Sequence, residues 1–504
     1  MEKFFDFSLP RKFTAETLAR ELAVRTRFLR DQVIKEELRE ETPDEPKKII
    51  GFYEAFKKHL ISHLTPDDFA DLYAQTITYG LFAARTRAER AFDRRLAYDL
   101  IPKALGLLRD IFYYISFDPS PQLGAIVDDI AEVLSVADVR GILKDYFERG
   151  KGSDPIFHFY ETFLAAYNPE EREQRGVYYT PHPVVSYITR SLHGLLKKEF
   201  GRQDGFAAPS VTVLDPAAGT LTFIAEAARL AVEEYIEKFG KGSADRFIKD
   251  HILEHFFAFE LMMAPYAAGH LKIGFLLEEL GHPLKDDERL PFYLTNTLEM
   301  EELAQSSLPG TRSLSEESHH AAQIKKKKPI LVILGNPPYS GISANASEQL
   351  IEVKKGERYI KDYQIGVRDD HGRRRYGLIP QETEAKQAKN VKVKTWIGEQ
   401  IEHYKIVDGR WFGEKKHWLQ DDYVKFIRFA QWKIDQIGEG AIGLITNHSY
   451  LDNPTFRGMR QSLMGSFDRI DILDLHGNSL KKEKAPEVLL TRMCSTSSRA
   501  SRSS

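Results

Sequence analysis

The chain is short of cysteine, of long apolar runs and of net charge. A single cysteine, Cys494, in 504 residues excludes internal disulfides and cysteine-based zinc sites. No apolar run is long enough to span a bilayer, and the amino terminus, MEKFFDFSLPRKF, carries acidic residues too early for a targeting segment. A cytoplasmic location with no membrane partner is therefore expected. A net charge of -3 excludes wholesale basicity, so a nucleic-acid partner must be met by local patches. There is no phosphate loop with Gly-Lys-Ser/Thr and no nuclease-like set of acidic residues plus lysine. His319 and His320 have no obvious carboxylate or cysteine partner in the sequence, and no metal site is expected.

The hydrophobic fraction of 42% and charged fraction of 29% are those of a folded protein, and 504 residues predict two or three domains. Residues 1–170 read as a helical connector domain. Apolar residues recur at three- and four-residue spacing over 14–40, 51–64, 67–87 and 100–115, and Thr65-Pro66-Asp67 marks a helix start. The arginines between Arg85 and Arg95 could face DNA, but such a run is more often a solvated surface.

Residues 171–480 read differently. Tyr179, Thr180 and Pro181 precede a helix over 183–198, with Thr180 or the short polar stretch after it placed to cap it. Such a helix can close over a cofactor bound at the start of the next sheet. Val211–Leu214 then forms a short buried strand, Asp215–Gly219 a turn, and a helix runs from Leu221, the first unit of a doubly wound nucleotide-binding fold. The turn has one glycine, so the three-glycine dinucleotide fingerprint is excluded. An adenosyl group with a nearby ammonium fits better: Asp215 supplies an acceptor or counter-charge, while Ala217, Ala218 and Gly219 allow close backbone approach. A strand over 255–259 delivers Glu260 to accept ribose hydroxyls, and a strand over 292–294 delivers Asn296 towards the cofactor's adenine.

Residues 301–328 read as a loop ending in Lys325, Lys326, Lys327 and Lys328, which could touch a phosphate backbone. Ile330–Leu334 is a buried strand that leads into Gly335-Asn336-Pro337-Pro338-Tyr339. That corner offers a side-chain amide, rigid carbonyls and an aromatic face, which together suit gripping the exocyclic amine of a stacked base. The polar stretch over 340–413 reads as a second inserted loop, in which Arg373, Arg374 and Arg375 could clamp a phosphate backbone. A helix over 423–437, a strand over 441–445, a helix over 455–464 and a strand over 470–475 continue the alternation. Residues 481–504 form a low-complexity tail.

From about Gly176 to Gly477 these motifs resemble the amino-group DNA methyltransferases. DPAAGT at Asp215–Thr220 is similar to their cofactor motif, with Ala218, Thr220 and Leu221 where DPACGSG has Cys, Ser and the final Gly. NPPY at Asn336–Tyr339 matches the motif for adenine N6 methylation, and the preceding YYTP resembles fused restriction-modification enzymes of the single-chain type I-like and type IIG groups. The resemblance implies a Rossmann-like S-adenosylmethionine-dependent methyltransferase sheet, of α/β class, after an all-helical domain. It also implies S-adenosylmethionine as donor, with Tyr179 and Thr180 closing the pocket. Double-stranded DNA is then the partner, with separate nuclease, translocase or target-recognition chains, and the tail suggests a fragment or frameshifted product. Two other classes stay open from the residues alone: a glutamine-amide protein methyltransferase, since an amide has the same planar N–H₂ chemistry, and a catalytically impaired DNA-binding or assembly fragment.

Overall fold

The computed structural model describes residues 13–39, 48–61, 64–89, 91–148, 155–167, 180–300, 311–339, 345–368, 374–412 and 417–475. Two compact units emerge: Met1–Arg172 with Tyr178–Thr297 and Glu301–Lys328, and Pro329–Ser504 with the short segments Glu173–Val177 and Leu298–Met300.

The first unit opens with helices α1 (Ala15–Phe28), α2 (Lys48–His59), α3 (Pro66–Arg87), α4 (Arg94–Leu100), α5 (Gly106–Phe117), α6 (Pro121–Val136), α7 (Val139–Glu148) and α8 (Pro155–Tyr167). The start of α3 is as its sequence predicts: the Thr65 hydroxyl accepts from the Asp68 N–H, Pro66 sits in the first turn, and Asp67 and Asp68 face the positive end of the helix dipole. Every residue from Phe69 to Phe82 is buried, so α3 is enclosed on all sides rather than amphipathic. Several of its buried polar residues are paired, although the Tyr73 hydroxyl has no partner among the described residues. Asp71 accepts from the Tyr167 hydroxyl at 2.6 Å, from Gln75 at 2.7 Å and from Arg30 at 3.3 Å. The arginine run faces inward to backbone carbonyls as well as outward: Arg85 donates to Leu134 O and Arg94 to Gly124 O.

The same unit continues with α9 (His182–Lys198), β1 (Val213–Asp215), α10 (Thr222–Phe239), β2 (Phe256–Glu260), α11 (Met263–Glu279), β3 (Phe292–Leu294) and α12 (Thr311–Lys327). β2 pairs in parallel with β1 on one side and β3 on the other, with Asp215 opposite Ala258 and Glu260 opposite Leu294. Parallel pairing puts the ends of β1 and β2 at one edge, which is where an α/β sheet presents its ligand-binding turns. α11 packs on α3, so the helical module and these strands share one core. The expected loop over 301–328 is corrected by α12. Its buried face is built from Leu314, Ser315, Glu317, Ser318, Ala321, Ala322, Ile324 and Lys325. Half of that face is polar, which hides the helical period from a hydrophobicity reading.

The second unit holds β4 (Val332–Gly335), buried throughout as an apolar run requires. Between it and its parallel partner lies the region expected to be a loop, and its described residues are mostly strand and helix. β5 (Glu348–Val353) pairs antiparallel with β8 (Lys389–Lys394), and β6 (Arg358–Arg368) with β7 (Arg374–Glu384). Val353, Tyr359 and Ala385 form a small core there, with Ile351 and Val391 against it. Then come α13 (Trp396–Glu402), the short pair β9 (Ile406–Val407) and β10 (Arg410–Trp411), α14 (Asp422–Ile437), β11 (Ala441–Leu444) and α15 (Arg457–Ser466). β11 runs parallel to β4 from Ala441 opposite Val332 to Leu444 opposite Gly335. Residues 470–475, expected as a strand, have no strand assignment, and Ile470, Ile472, Leu473 and Leu475 are exposed. No helix among the described residues is long and apolar enough to cross a membrane.

A methyl group added at Gly80 in α3 would lie 2.6 Å from two ring atoms of the fully buried Phe112. Helix propensity alone favours Ala over Gly by about 1 kcal/mol, whereas overpacking a core costs about 1–3 kcal/mol. Gly80→Ala is therefore expected to lower the urea midpoint of the first unit despite the better helix former, and a raised midpoint would show that the ring yields.

Candidate functional site

In the first unit the site is the turn that follows β1. Asp215, at 1% exposure, closes it by accepting from the Ala217 N–H at 3.1 Å. Ala218 donates its N–H to Phe259 O at 2.9 Å, which docks the turn on β2. The Thr297 hydroxyl donates to Pro216 O at 2.6 Å from beyond β3. Gly219 has a left-handed φ of 52°, and a Cβ built on it would meet nothing within 4 Å, so open space lies against the backbone there.

Glu260 ends β2 and faces this turn. Its carboxylate accepts three N–H groups, from Gly219 at 2.8 Å, Leu261 at 2.9 Å and Met262 at 2.8 Å. Burial raises its affinity for a proton, and the three N–H bonds oppose that rise without cancelling it. For Asp215 the same competition is more one-sided. Burial, with Glu260 as a like-charged neighbour, pushes it up to about 8 despite the bond from Ala217. A buried and a half-buried acidic group facing one turn suit a cationic ligand, whose charge would favour ionisation of both.

Leu221, at the start of α10, is fully buried and has φ 64° and ψ 30°, a left-handed conformation that a branched residue rarely adopts. This is the position at which DPACGSG carries its final glycine. Leucine pays the steric cost of the turn and recovers it by packing: a Cβ on Gly269 of α11 would lie 3.1 Å from the Leu221 Cγ. Sequence spacing marks the departure but not the strain.

Asn296 is buried just beyond β3, with its amide directed to Leu60 O at 3.5 Å. Lys325 is corrected as a DNA contact. It is 3% exposed, lies 5.4 Å from the Phe259 ring centroid, and donates to Thr295 Oγ1 at 2.9 Å and Asn296 O at 2.6 Å. It thus braces the end of β3, a role no sequence signal separates from that of its three lysine neighbours. Lys326, Lys327 and Lys328 are exposed. Thr180 lies ahead of α9, where Pro181 rather than Thr180 holds the cap position. Tyr179 and Arg373 lie outside the described residues, while Arg374 and Arg375 open β7.

In the second unit the site is the corner after β4. Gly335 O accepts from the Ile445 N–H at 3.1 Å, continuing the β4–β11 ladder to the strand end. Pro337 is buried, and Asn336, Pro338 and Tyr339 are half-buried. The Tyr339 hydroxyl donates to Asn336 Oδ1 at 2.6 Å, fixing the amide with its oxygen towards the phenol. The Tyr339 ring lies 6.4 Å from that of Tyr423 at the start of α14, which in turn lies 6.4 Å from that of Tyr450. Neither Tyr423 nor Tyr450 stands out by sequence spacing.

Two outcomes are expected of the first turn. Leu221→Gly removes strain worth about 1–2 kcal/mol that Leu221→Ala retains, so the glycine variant should unfold at higher urea than the alanine variant, the reverse of helix propensity. Asp215 holds a proton in the folded state up to about pH 8 but loses it near its ordinary carboxylate value when unfolded, so its contribution to stability falls as pH rises through that window. Asp215→Asn should therefore gain on the wild type in urea midpoint between about pH 5 and pH 9. Parallel pH profiles would show that Asp215 is ionised throughout.

Residues 151–247 match the family model described as N-6 DNA Methylase. No curated protein matches the chain. The ATP-dependent Type ISP restriction-modification enzyme LlaBIII bound to DNA is 19% identical, with a TM-score of 0.59 over 89% of this chain and 26% of that one. The DrdV–DNA complex is 22% identical, with a TM-score of 0.57 over 93% and 39%. A nuclease-deletion mutant of the Type ISP enzyme LlaGI with a DNA substrate mimic is 19% identical, with a TM-score of 0.58 over 92% and 32%. The chain thus spans between about a quarter and two fifths of these proteins, and at such identities the likeness is one of fold. The match to the N-6 DNA Methylase model thus covers residues 151–247, and the chain has the Rossmann-like methyltransferase fold preceded by helices that it shares with part of these solved structures.

Proposed function

We propose that this chain methylates the N6 amine of an adenine swung out of duplex DNA, as the methyltransferase part of a restriction-modification system. The observation that carries the proposal is the Asn336-Pro337-Pro338-Tyr339 corner at the end of a buried parallel strand, with its amide oxygen already oriented by a hydrogen bond. The family match and the DNA-bound state of the similar solved structures support it.

S-adenosylmethionine, when bound, supplies an electrophilic methyl group on a sulfonium. Asp215 and the Ala217–Gly219 turn hold its methionine end, and Glu260 accepts from its ribose. Three N–H groups already use most of the roughly four acceptor positions of that carboxylate, so at least one of these bonds yields to a ribose diol. Tyr179 and Thr180 close this pocket, and Asn296 contributes on the adenine side. The acceptor amine is a weak nucleophile because its lone pair is delocalised into the ring. Asn336 Oδ1 and Pro337 O accept its two N–H groups and favour a pyramidal nitrogen, which frees the lone pair for in-line attack. Tyr339 stacks on the base. Lys326, Lys327, Lys328, Arg373, Arg374 and Arg375 provide phosphate contacts, and separate nuclease, translocase or target-recognition chains are the partners such a system brings.

The test is transfer of tritiated methyl from S-adenosylmethionine to plasmid DNA grown in a methylation-free host. Removal of one preorganised hydrogen-bonding group at a reacting centre costs about 10²–10³ in rate. Asn336→Ala should lose about that much while binding S-adenosylmethionine normally by calorimetry. Equal activity of variant and wild type would remove the corner from the chemistry.

A further inference from the structure

Of the two phenols, Tyr339 at the corner of the second unit and Tyr423 beside it, only the first has a partner among the described residues. The Tyr339 hydroxyl donates to Asn336. The Tyr423 side chain is 2% exposed, and its hydroxyl is buried with no hydrogen-bond partner among the described residues. Leaving such a group unpaired costs about 1–3 kcal/mol, and native proteins rarely leave one unpaired. Filling the position with phenylalanine would keep the ring and remove the penalty, so the hydroxyl has a donor to offer that the described residues do not use.

The surroundings say what would suit that donor. The Tyr423 ring is 6.4 Å from Tyr339 and 6.4 Å from Tyr450, so aromatic faces border it from the catalytic corner and from the segment after β11. Burial, with Asp421 and Tyr450 nearby, pushes the phenol well above its ordinary value and keeps it a donor. Asp421, whose carboxyl accepts from the Tyr423 N–H at 3.4 Å and is pushed up to about 7 by burial, offers no positive charge to a phosphate. Aromatic walls and a neutral donor suit a planar heterocycle with an in-plane acceptor.

We propose that the Tyr423 hydroxyl is a further base-binding group, which donates a hydrogen bond to a ring nitrogen of the flipped base whose amine the Asn336 corner holds. The proposal rests on the adenine-methylation reading above. It makes Tyr423 a contributor to substrate capture, separate from the stacking face of Tyr339 and from the acceptors of Asn336 and Pro337. It also predicts a trade-off, because the same hydroxyl burdens the free protein and serves the complex.

The experiment compares the full chain with Tyr423→Phe and Tyr339→Phe, measuring thermal unfolding without ligand and kcat/KM for methylation of plasmid DNA from a methylation-free host. Tyr423→Phe is expected to unfold at the same or a higher temperature than wild type, to bind S-adenosylmethionine equally by calorimetry, and to lose about three- to tenfold in kcat/KM, mainly through KM for DNA. Tyr339→Phe, which forfeits a bonded hydroxyl, should instead lower the unfolding temperature. Wild-type kcat/KM in Tyr423→Phe would overturn the proposal and leave adenine methylation standing. A lowered unfolding temperature for that variant would also overturn it, by showing that the hydroxyl is bonded within the protein. A wild-type chain that methylates no DNA would overturn both readings together.

Discussion

The first unit depends on a carboxylate that cannot be left unpaired. Glu260 is half-buried at the end of β2, and three backbone N–H groups take the place of part of its hydration. Two of them come from the residues that follow it, and the third comes from Gly219, a turn that belongs to the neighbouring strand. One side chain thus ties the ends of β1 and β2 together. The left-handed Gly219, the Ala218 bond to Phe259 and the strained Leu221 all follow from holding the turn close to that strand. With Asp215 at the end of β1, the turn meets two acidic groups whose ionisation a bound cation would favour.

The second unit achieves preorganisation by different means. Its corner needs an amide oxygen in a definite direction, and prolines at 337 and 338 remove backbone freedom while Tyr339 fixes the side chain by donating to it. The base can then be met by groups that pay little to become ordered. Tyr423 differs, a buried donor with no partner among the described residues, and that is the pattern expected where a ligand completes a network.

Legibility followed chemistry that is local in sequence. Ile330–Leu334 is an unbroken apolar run bounded by Gly and Pro, so β4 and its corner could be placed, and Asp215 to Gly219 marked a strand-to-helix turn. Glu260 was placed correctly at a strand end, but its threefold grip on N–H groups from two segments depends on strand order, which the linear sequence does not display. α12 was missed because Ser315, Glu317, Ser318 and Lys325 lie on its buried face, where a hydrophobic period should be. The strands between residues 348 and 394 are hard to see in the sequence because the core they share is small, Val353, Tyr359 and Ala385 with Ile351 and Val391 against it, and most of their other residues are polar and exposed. Lys325 shows the same limit at one residue: four identical neighbours, one of them buried and bonded to Thr295 and Asn296.

Adenine methylation is tested most directly by nucleoside mass spectrometry of DNA from a methylation-free host that expresses the chain. N6-methyladenine should appear with the wild-type chain. Unmodified DNA, or N4-methylcytosine in place of N6-methyladenine, would contradict the assignment of the Asn336 corner to adenine.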